Sequence, residues 1–315
     1  MHMIRTLFYV NTVIIVAFSF SAFASTMSWQ DSQPPLQGKQ NVSRDELESS
    51  ANAGNLKAQF ELGRLLITSN QKLNDLMEGR EWIKQAAKLG YAEAQFFFGM
   101  MNAHSVAGPQ DYSAAHQWLL KAAHQNHAEA QSRLGQLYDE GLGVKTDLVV
   151  ARKWYTRGAN NGFKTAQYNA GLMSLKGLGG PKDEKAAVKW YTLAAKQGFP
   201  LAQVNLGAMY VDGIGVEKNY EAANYWYALA AQQGLPQAQY NLGFSCLKRR
   251  GMPQDTSCAI KFYTLAAEQE LVMAQVALAE LYRENENYPS ATLWYQRAIK
   301  KTMLIHNIDW ANYTL

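Results

Sequence analysis

The sequence has few of the residues on which several classes of protein depend. Two cysteines and six histidines in 315 residues are too few for a disulfide scaffold or a zinc-rich module. The formal net charge is only +4 and the basic residues are spread along the chain, so neither a nucleic acid nor an anionic membrane is the expected partner. After the first 24 residues, no stretch is apolar enough to cross a bilayer.

The first 24 residues have the pattern of an export signal. Arg5 supplies a short positive region, residues 7–20 are largely apolar, and Ala22-Phe23-Ala24 forms a small-x-small cleavage site. We therefore expect cleavage after Ala24 and a periplasmic or secreted protein with no membrane span; an uncleaved anchor is the alternative. Residues 25–50 are polar and predict a leader or linker.

No group of residues predicts catalysis. His116, His124 and His127 lie near one another in the sequence, with Glu129 close by. The spacing of His124 and His127 allows both to share a helix face and bind a metal, whereas exposed or capping histidines are the more ordinary interpretation. Nucleophile elbows and paired catalytic carboxylates are not evident in the sequence either. We predict no enzyme, no metal and no cofactor.

The dominant feature is a repeat of 36 residues. A fixed period of this length is typical of a solenoid, in which each unit contacts its neighbours. Tryptophans keep the same interval from Trp82 to Trp226, and glycines keep it from Gly63 to Gly243. The Ala-Gln pairs that define the period begin at Ala58, Ala94, Ala130, Ala166, Ala202, Ala238 and Ala274.

Residues 200–235 show what one repeat builds. Pro200 suits the first turn of a helix, and apolar residues then recur at helical spacing around Gly207. A glycine inside a helix costs about 1 kcal/mol relative to alanine, so its recurrence implies close approach by a partner helix. Residues 213–216 predict a turn, and a second helix follows with Trp226 on its core face. Each repeat is thus expected to be an antiparallel helical hairpin.

A tyrosine follows each core tryptophan or phenylalanine in the later repeats. A phenol can pack its ring between repeats while its hydroxyl stays in water. The residues in this series are Tyr155, Tyr191, Tyr227, Tyr263 and Tyr295.

These motifs strongly resemble the Sel1-like repeat, a relative of the tetratricopeptide repeat. The shared pattern is Ala-Gln-x-x-Leu-Gly-x-x-Tyr, Gly-x-Gly-Val, Ala-x-x-Trp-Tyr and Ala-Ala-x-x-Gly, and it is fullest in residues 131–234. The resemblance implies an all-α, right-handed superhelical solenoid of about seven hairpins over residues 51–301, with a capping tail at 302–315. The sixth repeat departs from the pattern, because residues 248–253 replace its Gly-x-Gly-Val turn.

The resemblance also implies a function. Proteins with such repeats are mostly adaptors, so we expect a protein partner; some exported bacterial members are immunity proteins that neutralise type VI secretion phospholipase toxins. The alternative is an envelope module that binds peptidoglycan or regulates a cell-wall hydrolase. Against a hydrolase domain within this sequence, no stretch of about 100 residues remains outside the repeats.

An apolar stripe on the first helices is the candidate contact surface. In related helical-repeat solenoids, these helices line the concave face, and an exposed apolar stripe there indicates a binding site. Alternatively, tight winding buries these side chains against one another. The candidate partner-binding residues are Tyr168, Leu172, Leu175, Val204, Val211, Tyr240, Phe244 and Leu247.

Both cysteines belong to the sixth repeat. Cys246 and Cys258 take the places of Tyr210 and Ala222, which lie on the two facing helices of a hairpin. We hypothesise a disulfide between them, formed in an oxidising compartment, that joins the two helices of this hairpin; two buried free thiols are the alternative.

Overall fold

The computed structural model describes residues 43–69 and 72–305, and all regular secondary structure in these ranges is α-helical. The expected signal at 1–24, most of the leader at 25–50 and the end of the tail at 302–315 lie outside the described residues. The helices are α1 Arg44–Asn52, α2 Leu56–Ser69, α3 Leu73–Lys88, α4 Ala92–Ala103, α5 Tyr112–His124, α6 Ala128–Glu140, α7 Leu148–Asn160, α8 Lys164–Lys176, α9 Glu184–Lys196, α10 Pro200–Asp212, α11 Tyr220–Gln232, α12 Pro236–Lys248, α13 Thr256–Glu268, α14 Val272–Glu284 and α15 Tyr288–Ile305.

The helices pack as tandem antiparallel hairpins within two compact units that divide between Asp183 and Glu184. The N-terminal unit contains α1, the hairpins α2–α3, α4–α5 and α6–α7, and then α8. The C-terminal unit contains α9 and the hairpins α10–α11, α12–α13 and α14–α15. The all-α solenoid expected from the 36-residue period is confirmed. No helix among the described residues is both long and apolar enough for a bilayer span.

Local sequence signals set where the helices begin and end. Pro200 and Pro236 occupy the first turn of α10 and α12. A backbone N–H in the first turn has no acceptor within the helix, so the N–H that proline lacks is not needed there. Asp147 caps α7 through hydrogen bonds of 3.0 Å from two backbone N–H groups. Gly213 ends α10 in the left-handed conformation with φ of 74°. The helices expected over residues 200–235 are therefore present.

The sixth repeat keeps the geometry of the turn although it lacks the motif. Arg249 ends α12 in the left-handed conformation with φ of 52°, the role that Gly213 has in α10. Gly251 has φ of 69° and lies against the start of α11, where a Cβ atom would come within 2.7 Å of the Tyr220 carbonyl carbon. The altered sequence thus preserves the backbone path, and one arginine adopts a conformation that favours glycine.

In the interior repeats the tyrosines lie deeper in the core than the neighbouring tryptophans. Tyr155 and Tyr227 are at most 1% exposed, whereas Trp154 is 7% exposed and Trp226 is half-buried. In the last repeat the order is reversed, since Trp294 is 8% exposed and Tyr295 is half-buried. The Tyr227 hydroxyl is buried together with its ring, so it does not stay in water. Burial also raises the pKa of the Tyr227 phenol well above its ordinary value. These rings reach the interior because the facing helix has a glycine where they pack.

Each Ala-Gln pair joins consecutive hairpins. The glutamine side chain is buried, and its Nε2 donates to the carbonyl of an alanine eight residues earlier, at the end of the preceding helix; Gln203 does so to Ala195 at 3.1 Å. The same bond recurs for Gln59, Gln95, Gln131, Gln167, Gln239 and Gln275. Because the bond satisfies a carbonyl at a helix end, every repeat has a structural reason to keep the amide.

A disulfide joins the two helices of the sixth hairpin. Cys246 near the end of α12 is bonded to Cys258 near the start of α13, with the Cα atoms 6.0 Å apart. Of the two arrangements compatible with the sequence, the structure contains the bonded one.

Candidate partner-binding clefts

The candidate stripe is mostly buried. In the N-terminal unit, Tyr168 and Leu172 are each 2% exposed and Leu175 is half-buried. In the C-terminal unit, Val204 is fully buried and Val211 is 2% exposed. These four residues do not form an exposed surface, because neighbouring side chains already cover them. The alternative stated above, in which tight winding buries the stripe, describes them better.

The remaining three candidates meet in a cleft of about 170 Å³ in the C-terminal unit. Tyr240, Phe244 and Leu247 project from α12, and Tyr263 from α13 lies beneath them, with the Tyr240 and Tyr263 ring centroids 5.4 Å apart. The opposite wall comes from α14 and consists of Ala277, Glu280, Leu281 and Glu284. We call this the α12–α14 cleft.

The α12–α14 cleft has a charged edge. Glu280 and Glu284 lie one helical turn apart on α14, and Glu280 pairs with Arg283 at 2.6 Å. On the α12 side, the guanidinium of Arg250 lies 4.9 Å from the centre of the Phe244 ring. This cation–π contact holds the half-buried Phe244 ring beside the cleft. The cleft can therefore receive an apolar side chain, with acidic groups on one edge.

A second cleft, in the N-terminal unit, has apolar walls and four polar side chains. It measures about 260 Å³ and lies between α4 and α6. Its polar side chains are His104, Arg133, Gln136 and Glu140. Gln136 connects two of them, since it accepts from Arg133 at 3.4 Å and donates to Glu140 at 3.1 Å. We call this the α4–α6 cleft.

Burial shifts the acid–base equilibria around the α4–α6 cleft. It raises the pKa of Glu129 and of Glu140, and it lowers the pKa of His104, which the charge of Arg133 lowers further. Asp139 has a pKa raised to about 6, mainly by burial and then by the charge of Glu140. The carboxylates here are thus less well solvated than carboxylates in water.

Arg133 is a residue of this cleft that was not predicted from the sequence, although its position carries a signal. Arg133 occupies the repeat position at which Asn169, Asn205 and Asn241 stand in later repeats. Its side chain is only 11% exposed, and one of its nitrogen atoms lies 3.7 Å from Glu129. A charge in the place of a repeated asparagine was the available indication.

The three histidines singled out in the sequence have separate partners. His116 Nε2 lies 3.0 Å from the Tyr138 hydroxyl, and His124 contacts the edge of Trp154. His127 caps α6, stacks on Phe96 and lies 3.1 Å from Glu93. Within the described ranges, no group of three or more potential ligands has the geometry to hold a metal ion.

Comparison with known proteins identifies the repeats. The Sel1 repeat family model matches seven consecutive segments: residues 56–91, 92–127, 128–163, 164–199, 200–235, 236–271 and 272–302. No curated protein matches the chain.

Two solved structures share the fold. A protective antigen of uropathogenic Escherichia coli strains, described as displaying an SLR fold, is 32% identical with a TM-score of 0.78 over 83% of this chain. The match spans 57% of the antigen's own length. A Sel1 repeat protein from Oxalobacter formigenes is 28% identical with a TM-score of 0.65; the match covers 75% of this chain and 96% of that protein.

Proposed function

Because the chain belongs to the Sel1 repeat family, whose members generally mediate protein–protein interaction, we propose that it is an exported, non-catalytic scaffold that binds a protein partner through the α12–α14 cleft. The observation that carries the proposal is the meeting of Tyr240, Phe244 and Leu247 in one cleft. Phe244 and Leu247 are half-buried, while Tyr240 is only 8% exposed. Aromatic and apolar side chains that remain partly accessible in a concave site, as Phe244 and Leu247 do, are typical anchors for a partner.

The cleft indicates the chemistry of the partner segment. Its apolar walls fit an aliphatic or aromatic side chain, while Glu280 and Glu284 on α14 favour lysine or arginine next to that side chain. The segment we propose is therefore an apolar residue flanked by basic residues. Such an interaction weakens as salt concentration rises, because the charged part of the contact lies at the solvent-exposed edge.

The biological role that we propose is immunity against a type VI secretion phospholipase effector. The export pattern of residues 1–24 and the resemblance to exported family members support it. A protein that neutralises such a toxin must meet it outside the cytoplasm, which cleavage after Ala24 would permit. The test is whether a phospholipase effector is encoded beside this protein and whether the mature protein inhibits it at a one-to-one ratio. The lack of such a gene, or undiminished lipid hydrolysis with saturating protein, contradicts this role.

Substitution in the cleft tests the scaffold proposal. Phe244→Asp puts a buried charge among the apolar anchors, so binding of a stoichiometric partner captured from periplasmic extract should fall by at least about tenfold. The matched control is Leu265→Asp on α13, a leucine that is already 39% exposed and lies outside the cleft. Circular dichroism should show that both variants remain helical.

The outcomes separate the candidate functions. Loss of the partner with Phe244→Asp and retention with Leu265→Asp support the α12–α14 cleft as the contact site. Equal partner binding by both variants shows that the cleft is not the site. Retention of the protein by isolated cell wall, with no protein partner, supports the peptidoglycan-binding alternative instead.

A further inference from the structure

A hydrogen bond between two side-chain amides closes the interior hairpins. The Oε1 atom of the buried glutamine on the first helix accepts from an amide 30 residues later, at the end of the second helix; Gln203 accepts from Gln233 at 2.9 Å. The same pairing joins Gln95 with Gln125, Gln131 with Asn161, and Gln239 with Gln269. Four hairpins thus place a primary carboxamide against the glutamine oxygen.

The last hairpin lacks this carboxamide. Gln275 is 3% exposed and donates to the Ala267 carbonyl at 3.1 Å, but its Oε1 has no hydrogen-bond partner among the described residues. The turn before α15 is four residues shorter than in the other repeats, so Lys301 stands where the pattern would place the donor amide. Its ammonium group pairs with Glu270 instead.

A pocket opens beside the Gln275 amide. It measures about 260 Å³ and lies between the end of α13, the start of α14 and the later part of α15. Arg297, Lys300 and Lys301 line it together with Glu268 and Glu270. Arg297 is held over the Trp294 ring at 4.6 Å. The pocket thus combines a buried acceptor with several charged donors.

The first hairpin provides an internal comparison. Gln59 also has an Oε1 atom without a partner among the described residues, because Leu89 occupies the donor position there. Leu89 is 64% exposed and brings no polar group to the amide. In the last hairpin, Arg297, Lys300 and Lys301 line a pocket beside the glutamine amide, so they can hold the other end of a carboxamide.

We propose that the pocket beside Gln275 binds a primary carboxamide, supplied by an asparagine or glutamine side chain of a partner protein. Its NH₂ group donates to Gln275 Oε1, as Gln233 does to Gln203, and its oxygen accepts from Lys300 or Arg297. A carboxamide fits because Gln275 Oε1 is an acceptor that requires a donor, and an ionised carboxylate has none. This site is separate from the α12–α14 cleft and does not depend on the function proposed there.

Small probes test the ligand chemistry on the full chain. N-acetylglutamine N-methylamide carries one primary carboxamide, on its side chain; N-acetylglutamate N-methylamide replaces that group with a carboxylate, and N-acetylnorvaline N-methylamide replaces it with a methyl group. Titration followed through the side-chain NH₂ signals of Gln275 by NMR should show millimolar binding of the first probe. Binding of the other two should be weaker by at least about tenfold, since each leaves the buried oxygen without its donor.

A substitution that restores the missing amide–amide hydrogen bond tests whether the probe binds at Gln275 Oε1. Lys301→Gln places an amide where the repeat pattern puts the donor, so it should occupy Gln275 Oε1 from within the chain and abolish binding of the glutamine probe. Lys300→Gln, one residue earlier, leaves the Gln275 oxygen accessible and should weaken binding only through loss of one donor. Both lysines lie near the surface, so both variants should stay folded.

The results decide the proposal. Selective binding of the glutamine probe that Lys301→Gln abolishes supports it. Equal binding of the three probes, no shift at millimolar concentration, or unchanged binding in Lys301→Gln would each overturn it.

Discussion

Gly207 on α10 lies directly against the Tyr227 ring on α11: a Cβ atom added to the glycine would lie 2.6 Å from Tyr227 Cε1. No such contact is tolerated without movement of the ring or the helices. Gly135 with Tyr155 and Gly243 with Tyr263 repeat the arrangement at 2.8 and 2.7 Å. The glycine and the tyrosine therefore form one packing unit that brings the two helices of a hairpin together.

The first prediction concerns this packing unit. Gly207→Ala should lower the free energy of unfolding by about 1–3 kcal/mol, because the overpacking cost exceeds the helix propensity that alanine adds. In a Tyr227→Leu background the ring is absent, and the same substitution should cost less. A double-mutant cycle by urea denaturation measures the coupling. Strictly additive effects would show that the two residues do not constrain each other.

The helical hairpins could be predicted from the sequence because each of their sequence signals recurs at a fixed interval. The repeated glycine indicated close helix approach, and Gly207 confirms it against Tyr227. Whether the tyrosine or the tryptophan lies deeper in the core could not be predicted from the sequence, since both large aromatic side chains suit an apolar helix face. The complete burial of Val204 could not be predicted either, because the hydrophobicity of a residue does not reveal how closely neighbouring hairpins approach.

The candidate site was only partly predictable from the sequence. Tyr240, Phe244 and Leu247 share one helix face, so their meeting in a cleft follows from helical spacing. The unsatisfied amide of Gln275 could not be foreseen, since it depends on where a shortened turn places Lys301.

The second prediction concerns the disulfide. Because Cys246 and Cys258 are 12 residues apart, their bond should stabilise the protein by roughly 3 kcal/mol through restriction of the unfolded chain. Thermal unfolding with and without reductant should show a lower Tm for the reduced protein. The Cys246→Ala/Cys258→Ala variant is the control and should not respond to reductant. The same Tm for the oxidised and reduced native proteins would show that the bond contributes nothing.

The third prediction concerns the turn of the sixth repeat. Arg249→Gly should stabilise the protein by about 1 kcal/mol, because glycine adopts the positive φ of 52° without a steric penalty. Lys248→Gly, within the last turn of α12, should instead destabilise by about 1 kcal/mol, since it only adds flexibility to the unfolded chain. Urea denaturation of the two variants distinguishes these effects. A loss of stability in Arg249→Gly would show that the arginine side chain stabilises the turn more than its backbone strain costs.

The fourth prediction concerns pH. The pKa of Asp139 is raised from 3.8 to about 6, so between these values the folded protein holds a proton that the unfolded chain releases. The contribution of Asp139 to stability should therefore fall as pH rises from about 4 to about 6 and change little above that range. The raised pKa values of Glu129 and Glu140 act in the same direction, whereas the lowered pKa values of Glu93, His104 and His116 act against them.

Asp139→Asn isolates the contribution of this carboxyl group. The amide cannot ionise, so the variant should lose part of the decline between pH 4 and 6 and be more stable than the native protein at pH 7. Urea denaturation of the native protein and of the variant across the pH range measures the difference. An identical decline in native protein and Asp139→Asn would show that Asp139 ionises at its ordinary pKa, which would mean that water reaches its carboxylate in the folded state.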